Sequence, residues 1–232
     1  MAALRARTRH QRLAAVARQL AGVGVVAVLT VVLAQSTTTA AFTASTGDTG
    51  NVVGAAATFC SVPGTTSAGI PVRDASTNGS GTNGNTVYNG TTNPTGTSTG
   101  GDGYYYIRFD MPPVPSRCKV TSATLALFAG TGQPATMVVQ RAATTWSDTT
   151  LTWNNQPTLT GSPTSLTVAG TGWHSYSVGG HVTAFLAAPT SNHGFVVRDQ
   201  LTLGGAISAY RYQIYNSFSN ASNSPTLTIT WG

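Results

Sequence analysis

The 232-residue chain contains no glutamate and a single lysine. Charged residues make up 8% of it, against roughly 25% in an average soluble domain. Helical cytosolic proteins draw on Glu, Lys, Gln and Leu, so that class does not fit. Without Glu, the close carboxylate pair that glycoside hydrolysis needs would have to come from six scattered Asp, and a glycosidase is not expected. A basic run is also missing from most of the chain. Five of the twelve basic residues, Arg5, Arg7, Arg9, Arg12 and Arg18, sit at the start, and the other seven stand against six Asp, a net charge of +1. The formal +6 of the whole chain therefore gives no case for binding nucleic acid. Cysteine is limited to Cys60 and Cys118. Two distant cysteines do not make a zinc site, and the histidines show no ligand spacing.

What is present begins with a leader. Met1–Arg18 is basic and free of acid, Leu20–Ala34 is apolar and uncharged, and small residues follow through Thr37–Ala41. This charged, hydrophobic, small-residue order is that of a secretory signal peptide. A retained membrane helix is the competing account, but it needs about 18–20 apolar residues and the run here is shorter. Export makes a Cys60–Cys118 disulfide the expected state of the cysteine pair. Closing that loop stabilises a fold by roughly 4 kcal/mol in the chain-entropy account.

Beyond the leader, Gly, Thr, Ser and Asn take the place of charges, and Thr, Val and Tyr favour strands. Residues 44–57 are small and polar and read as a linker or edge segment. The Gly/Asn/Thr/Ser tract Thr77–Gly103 reads as a long loop. Strands are expected over 104–109, 120–129, 136–141, 173–178, 195–198, 206–215 and 226–231. Val182, Phe185 and Leu186 have the spacing of one helical turn. In the last strand Leu227, Ile229 and Trp231 should face one side and three Thr the other. Many short strands with frequent Gly and Pro turns indicate a sandwich or jelly roll.

Four local patterns invite chemistry. Gly96-Thr97-Ser98-Thr99-Gly100 matches the nucleophile elbow in letters, but that motif needs a strand-to-helix turn and no helix signal follows. Asp74-Ala75-Ser76-Thr77-Asn78-Gly79 matches the start of a calcium loop and then fails, because Asn85 stands where a bidentate Glu is required. A different calcium arrangement using Asp74 or Asp102 with loop carbonyls stays open, beside an Asx-rich turn. Trp146, Trp153 and Trp173 are sugar-stacking candidates, with core filling as the plainer role of Trp146 and Trp153. Tyr104, Tyr105, Tyr210, Tyr212 and Tyr215 are better candidates for an exposed stripe. Tyr210 and Tyr212 should share a face and Tyr215 should lie on the other.

The stretches Tyr106-Ile107-Arg108-Phe109-Asp110, Val120–Phe128, Thr145-Trp146-Ser147-Asp148 through Thr152-Trp153-Asn154-Asn155-Gln156-Pro157, Asn192–Arg198 and Ser224–Ile229 together resemble DNRLRE-domain proteins. That group is related to a carbohydrate-binding module family known for alginate binding. The resemblance implies a jelly-roll sandwich on secreted or surface proteins of bacteria. Two features depart from the family pattern: Tyr215–Asn220 stands where a Ser-Arg-Glu-like element is usual, and the lysine and arginine that an anionic glycan needs are scarce. Thr38–Asn51 resembles the processing region of camelysin/TasA-type exported proteins, which implies cleavage beside Ala40 or Ala41.

These readings give an all-β, jelly-roll-like antiparallel β-sandwich. Residues 1–41 are a signal peptide, 42–59 a linker or edge segment, and 60–232 one domain. The expected role is a secreted or cell-surface, non-catalytic module that binds a polysaccharide or cell-wall glycan, with Tyr210 and Tyr212 as its stacking pair. The alternative is a structural or adhesive component of the cell surface or extracellular matrix. Contact with a membrane is expected only through an uncleaved leader, and no cofactor is expected unless calcium binds at Asp74 or Asp102.

Overall fold

The computed structural model describes residues 59–67, 71–79, 81–98, 101–201 and 211–232. The leader, and all of the 42–59 segment except Phe59, lie outside the described residues, as does Tyr210. Eleven strands follow in order: β1 (Gly64–Ser67), β2 (Arg73–Asn78), β3 (Thr92–Ser98), β4 (Gly101–Arg108), β5 (Val120–Gly132), β6 (Ala135–Ala142), β7 (Leu159–Val168), β8 (Gly172–Ser177), β9 (Phe195–Asp199), β10 (Arg211–Asn216) and β11 (Thr226–Trp231). Among the described residues one helix, α1 (Gly179–Ala187), precedes β9. Every strand pairing is antiparallel. The architecture is the all-β sandwich that the sequence predicts.

One layer is built on the long β5. Along one edge it pairs with β8, and along the other with β11 and then β10. β1 extends this layer beyond β11, and β3 extends it beyond β10. The second layer runs β2, β4, β9, β6, β7. β3 belongs to both layers. It pairs with β10 along Thr92–Thr97, and its last three residues also pair with Gly101–Gly103 of β4.

The core lies between the layers. Leu125 and Leu127 of β5, Leu227, Ile229 and Trp231 of β11 and Tyr215 of β10 meet Tyr105 and Ile107 of β4 and Phe195 and Val197 of β9. The alternation expected in β11 is present, with its three Thr turned away from the core. α1 closes one end by inserting Val182 and Phe185. Tyr105 and Tyr215, read from sequence as stripe candidates, are instead fully buried and stack at 5.9 Å. Burial is tolerated because each hydroxyl has a partner: Tyr105 donates to Asp74 at 2.9 Å, and Tyr215 bonds His174 Nδ1 at 2.8 Å and the Tyr176 hydroxyl at 2.7 Å.

A second, smaller core explains why Tyr104–Phe109 shows no alternation. The outer face of β2, β4 and β9 is also covered, by the 143–157 segment. Tyr106, Ala75 and Val196 pack there beneath Trp146 and Leu151. A strand buried on both faces reads as continuously apolar. Trp146 is the keystone. Its Nε1 donates to the His193 carbonyl at 2.7 Å, Tyr106 meets it edge-on at 5.6 Å, and Arg73 lies over its face at 5.9 Å while donating to its carbonyl. Gln156 Oε1 accepts from the Tyr106 and Thr77 hydroxyls at 3.1 and 3.0 Å. Trp146→Phe should therefore cost about 1–3 kcal/mol, from an orphaned carbonyl and a smaller ring. Urea denaturation measures it, and an unchanged midpoint would refute the role.

Two stretches differ from expectation. Thr77–Gly103 is not one loop: it holds the end of β2, a 3-10 turn at Gly81–Asn85, all of β3 and the start of β4. Its Gly and Asn residues carry weak strand propensity, and register with β10 and β4 overrides it. β7 was not expected at all. It pairs only with β6, so as an edge strand it accommodates Gly161 and Pro163.

Candidate functional site

Where β3 passes from one layer to the other, strand register lines up four residues from four strands: Tyr212 of β10, Gly96 of β3, Gly103 of β4 and Asn78 of β2. The two middle positions have no side chain. A groove of about 300 Å³ opens there, floored by Gly96, Gly101 and Gly103 and bordered by Tyr212, Asn78 and Asp102. Pro94 and Ile214, register partners in the neighbouring row, form its apolar wall.

The glycines are required by geometry. Gly96 has φ +111°, and a Cβ there would meet the Arg211 carbonyl oxygen at 2.3 Å and Tyr212 Cα at 2.8 Å. A side chain at this position would both strain the backbone and push β10 from β3. At Gly103 a Cβ would sit 3.1 Å from the Thr77 carbonyl oxygen. Asp102 is held at its post by Thr97, its cross-strand partner, whose hydroxyl donates to Oδ1 at 2.7 Å. Thr95 is fixed in turn, donating to the Val197 and Gly103 carbonyls at 2.7 and 3.0 Å. The result is a pre-formed notch bordered by one half-buried aromatic residue and one amide residue, a combination suited to stacking on a sugar ring and bonding its hydroxyls.

Of the residues singled out in the sequence, Tyr212 and Asp102 meet in this groove. Asp74 does not. It registers with Ile107, five residues or roughly 16 Å of strand away from Asp102. Its buried carboxylate accepts from the Tyr105 and Ser217 hydroxyls, both at 2.9 Å, from Asn93 Nδ2 at 3.0 Å and from the Phe218 N–H at 3.2 Å. Burial pushes its pKa above the ordinary 3.8, and the bonds from Tyr105, Ser217 and Phe218 pull against that rise. Among the described residues no three His, Cys, Asp or Glu side chains come together where a metal would need them.

The other candidates are dispersed. Tyr104 is half-buried and meets Trp153 edge-on at 5.2 Å, and burial raises its pKa. Trp153 also covers Gly79, where a Cβ would touch the indole at 2.6 Å. Trp173 stands 49% exposed on β8, beside Phe128 at 5.5 Å, on the edge of β5 opposite to β10. His174 and His181 are buried with lowered pKa values, the cause being desolvation in both cases, so each imidazole is neutral at pH 7. Cys60 and Cys118 form the expected disulfide. Asn78, Pro94, Gly96 and Gly103 were not legible as site residues. No local signal marks them, because only pairing between strands distant in sequence brings them into one row.

A β-sandwich with a small pre-formed notch bordered by a tyrosine has the build of a carbohydrate-binding module. The comparison with family models agrees: carbohydrate-binding module family 96 matches residues 65–231, and the chain belongs to that family. No individual curated protein matches the chain at a significant level. The family is one of non-catalytic binding modules.

Proposed function

We propose that this chain is an exported, non-catalytic module that holds a polysaccharide or cell-wall glycan in the groove between Tyr212 and Asn78. The observation that carries the reading is the glycine-floored row, which leaves an open notch between a tyrosine and an asparagine. The basic and apolar leader supports export, and the Cys60–Cys118 bridge suits an oxidising compartment. The long segment folded over Tyr106, with Trp146 and Gln156 at its two ends, supports the narrower likeness to DNRLRE-domain proteins.

Tyr212→Ala tests the site. A stacked aromatic contributes about 0.5–1.5 kcal/mol beyond its buried area, so glycan retention should weaken about tenfold. Because the ring is only half-buried, the melting temperature should stay near that of the wild type. Retention of insoluble polysaccharide unchanged by the substitution would remove the groove from consideration. Failure of the wild type to retain any glycan would favour a structural or adhesive role at the cell surface.

A further inference from the structure

Trp173 and the groove lie on the same face of the same layer. Trp173 is the cross-strand partner of Phe128. Leu127 and Ala129, on either side of Phe128, are buried in the core, so Phe128 and Trp173 take the outer face. β10 alternates in the same sense. Its Gln213 and Tyr215 are buried, and Tyr212 and Ile214 share the outer face with Gly96 and Pro94, their partners on β3. The one irregularity falls on β5, where Gly130 is an extra residue between the partners of Ile214 and Tyr215. The face between Trp173 and Tyr212 is open and uncharged. Gly130 and Thr131 are exposed there, Ile214 is half-buried, and a Cβ at Gly130 would come no nearer than 3.8 Å to Asn216 Oδ1. Trp146 and Trp231 are buried and Trp153 covers Gly79, whereas Trp173 is 49% exposed, with Phe128 edge-on against it at 5.5 Å.

Resting on the glycan reading above, we infer that the groove and Trp173 are the two ends of one binding track, which takes an extended, linear glycan across the outer face. The spacing follows from the register. β8 to β10 is two strand spacings, about 10 Å. Along the strands Trp173 is level with Phe128, and Tyr212 is level with Gln133, whose N–H donates to the Tyr212 carbonyl at 2.9 Å. The stretch of β5 between those levels adds about 16 Å, so the two aromatic positions stand roughly 20 Å apart. A pyranose unit of an extended chain advances by about one strand spacing, ~5 Å, so about four units bridge the track. A ring at each end stacks on the apolar face of a sugar, and the exposed Thr131 hydroxyl between them can bond to the sugar hydroxyls. Because both ends sit on paired strands, their separation is set before the ligand arrives. A chain shorter than the track reaches one end only, so the face selects for length.

Titration calorimetry of the purified chain with β-1,4-linked mannuronate, manno- and cello-oligomers, each from dimer to octamer, tests the track. In whichever series binds, affinity should climb from the dimer to about the pentamer and then level off. Trp173→Ala should weaken hexamer binding about tenfold and dimer binding far less, which flattens the series. Trp173→Tyr keeps a stacking ring and should recover most of the loss. Because Trp173 is half exposed, the melting temperature of both variants should stay near that of the wild type. If Trp173→Ala does not fold, the wild-type series and Trp173→Tyr decide. Affinity that does not change with length overturns the inference, as does hexamer binding that Trp173→Ala leaves intact or a loss that is equal for dimer and hexamer. Tyr212→Ala keeps this result distinct from the groove reading. If it weakens dimer and hexamer while Trp173→Ala weakens neither, the groove stands and the track falls. If it changes nothing while Trp173→Ala abolishes binding, both fall and Trp173 alone is the site. No binding in any series, with insoluble polysaccharide also unretained, overturns both.

Discussion

Replacing Asp74 with alanine is expected to lower the stability of the fold by about 3–5 kcal/mol, the range for breaking a buried hydrogen-bond network with several donors. The side chain is the meeting point of four segments. It sits on β2 and receives donors from Tyr105 on β4, Asn93 on β3, and Ser217 and Phe218 just after β10. Alanine leaves those donors facing an apolar gap, and an unsatisfied buried donor costs about 1–3 kcal/mol on its own. A domain of this size is stable by only about 5–15 kcal/mol, so the loss is a large share of the total. In a thermal melt it corresponds to a fall of roughly 6–20 °C. A shift smaller than about 2 °C would show that the network is dispensable.

The same carboxylate gives a pH signature of definite sign. Burial raises its folded-state pKa above the ordinary 3.8, so the folded chain binds its proton more tightly than the unfolded chain does. Measured against Asp74→Asn, the wild type should be most favoured below pH 3.8. Its advantage should fall as pH rises through the raised value, then level off. A difference curve that climbs with pH across this window would contradict the burial argument.

Loss of the Cys60–Cys118 bridge is the second large effect. The bridge spans 58 residues, and the chain-entropy account gives about 4 kcal/mol for a loop of that length. Its local setting says where the loss falls first. Cys118 leads into β5, and the segment around Cys60 is otherwise joined there by the bond from the Ser61 N–H to the Ser116 carbonyl at 3.0 Å. β1 follows at once, an exposed edge strand paired only with β11. Cys60→Ser with Cys118→Ser should lower the denaturation free energy by about 4 kcal/mol. Hydrogen exchange should quicken at Thr65–Ser67 before it does in β5. Uniform loss of protection across both strands would mean that the bridge acts only on the unfolded chain.

How much could be read from the sequence depended on where each signal resides. The β11 alternation, the disulfide and the structural role of Trp146 were legible, because each follows from residues near one another in sequence or from a compositional rule. The tyrosines were misjudged by their chemistry. Tyr105 and Tyr215 looked like surface rings because a phenol tolerates water, yet each finds a buried partner supplied by another strand. Leu159–Val168 was missed because an edge strand shows only Leu159, Leu166 and Val168 to apolar surroundings. The residues of the candidate groove were half legible. Tyr212 and Asp102 were named, but for separate reasons, and only the pairing of β10, β3 and β4 brings their rows side by side.

The position of Gly96 has a consequence for how such a module diversifies. One residue both turns the chain between the two layers and clears the floor on which a sugar would rest. A side chain there would also push β10 from β3, so on the proposed reading the rim, at positions such as Tyr212 and Asn78, is where the notch can change without that cost. On the proposed reading, a notch of about 300 Å³ takes only a short piece of glycan, which limits what the notch of a single copy can grip. Selection for firmer attachment then acts on copy number, since linked modules gain avidity without any change in the contacts of each.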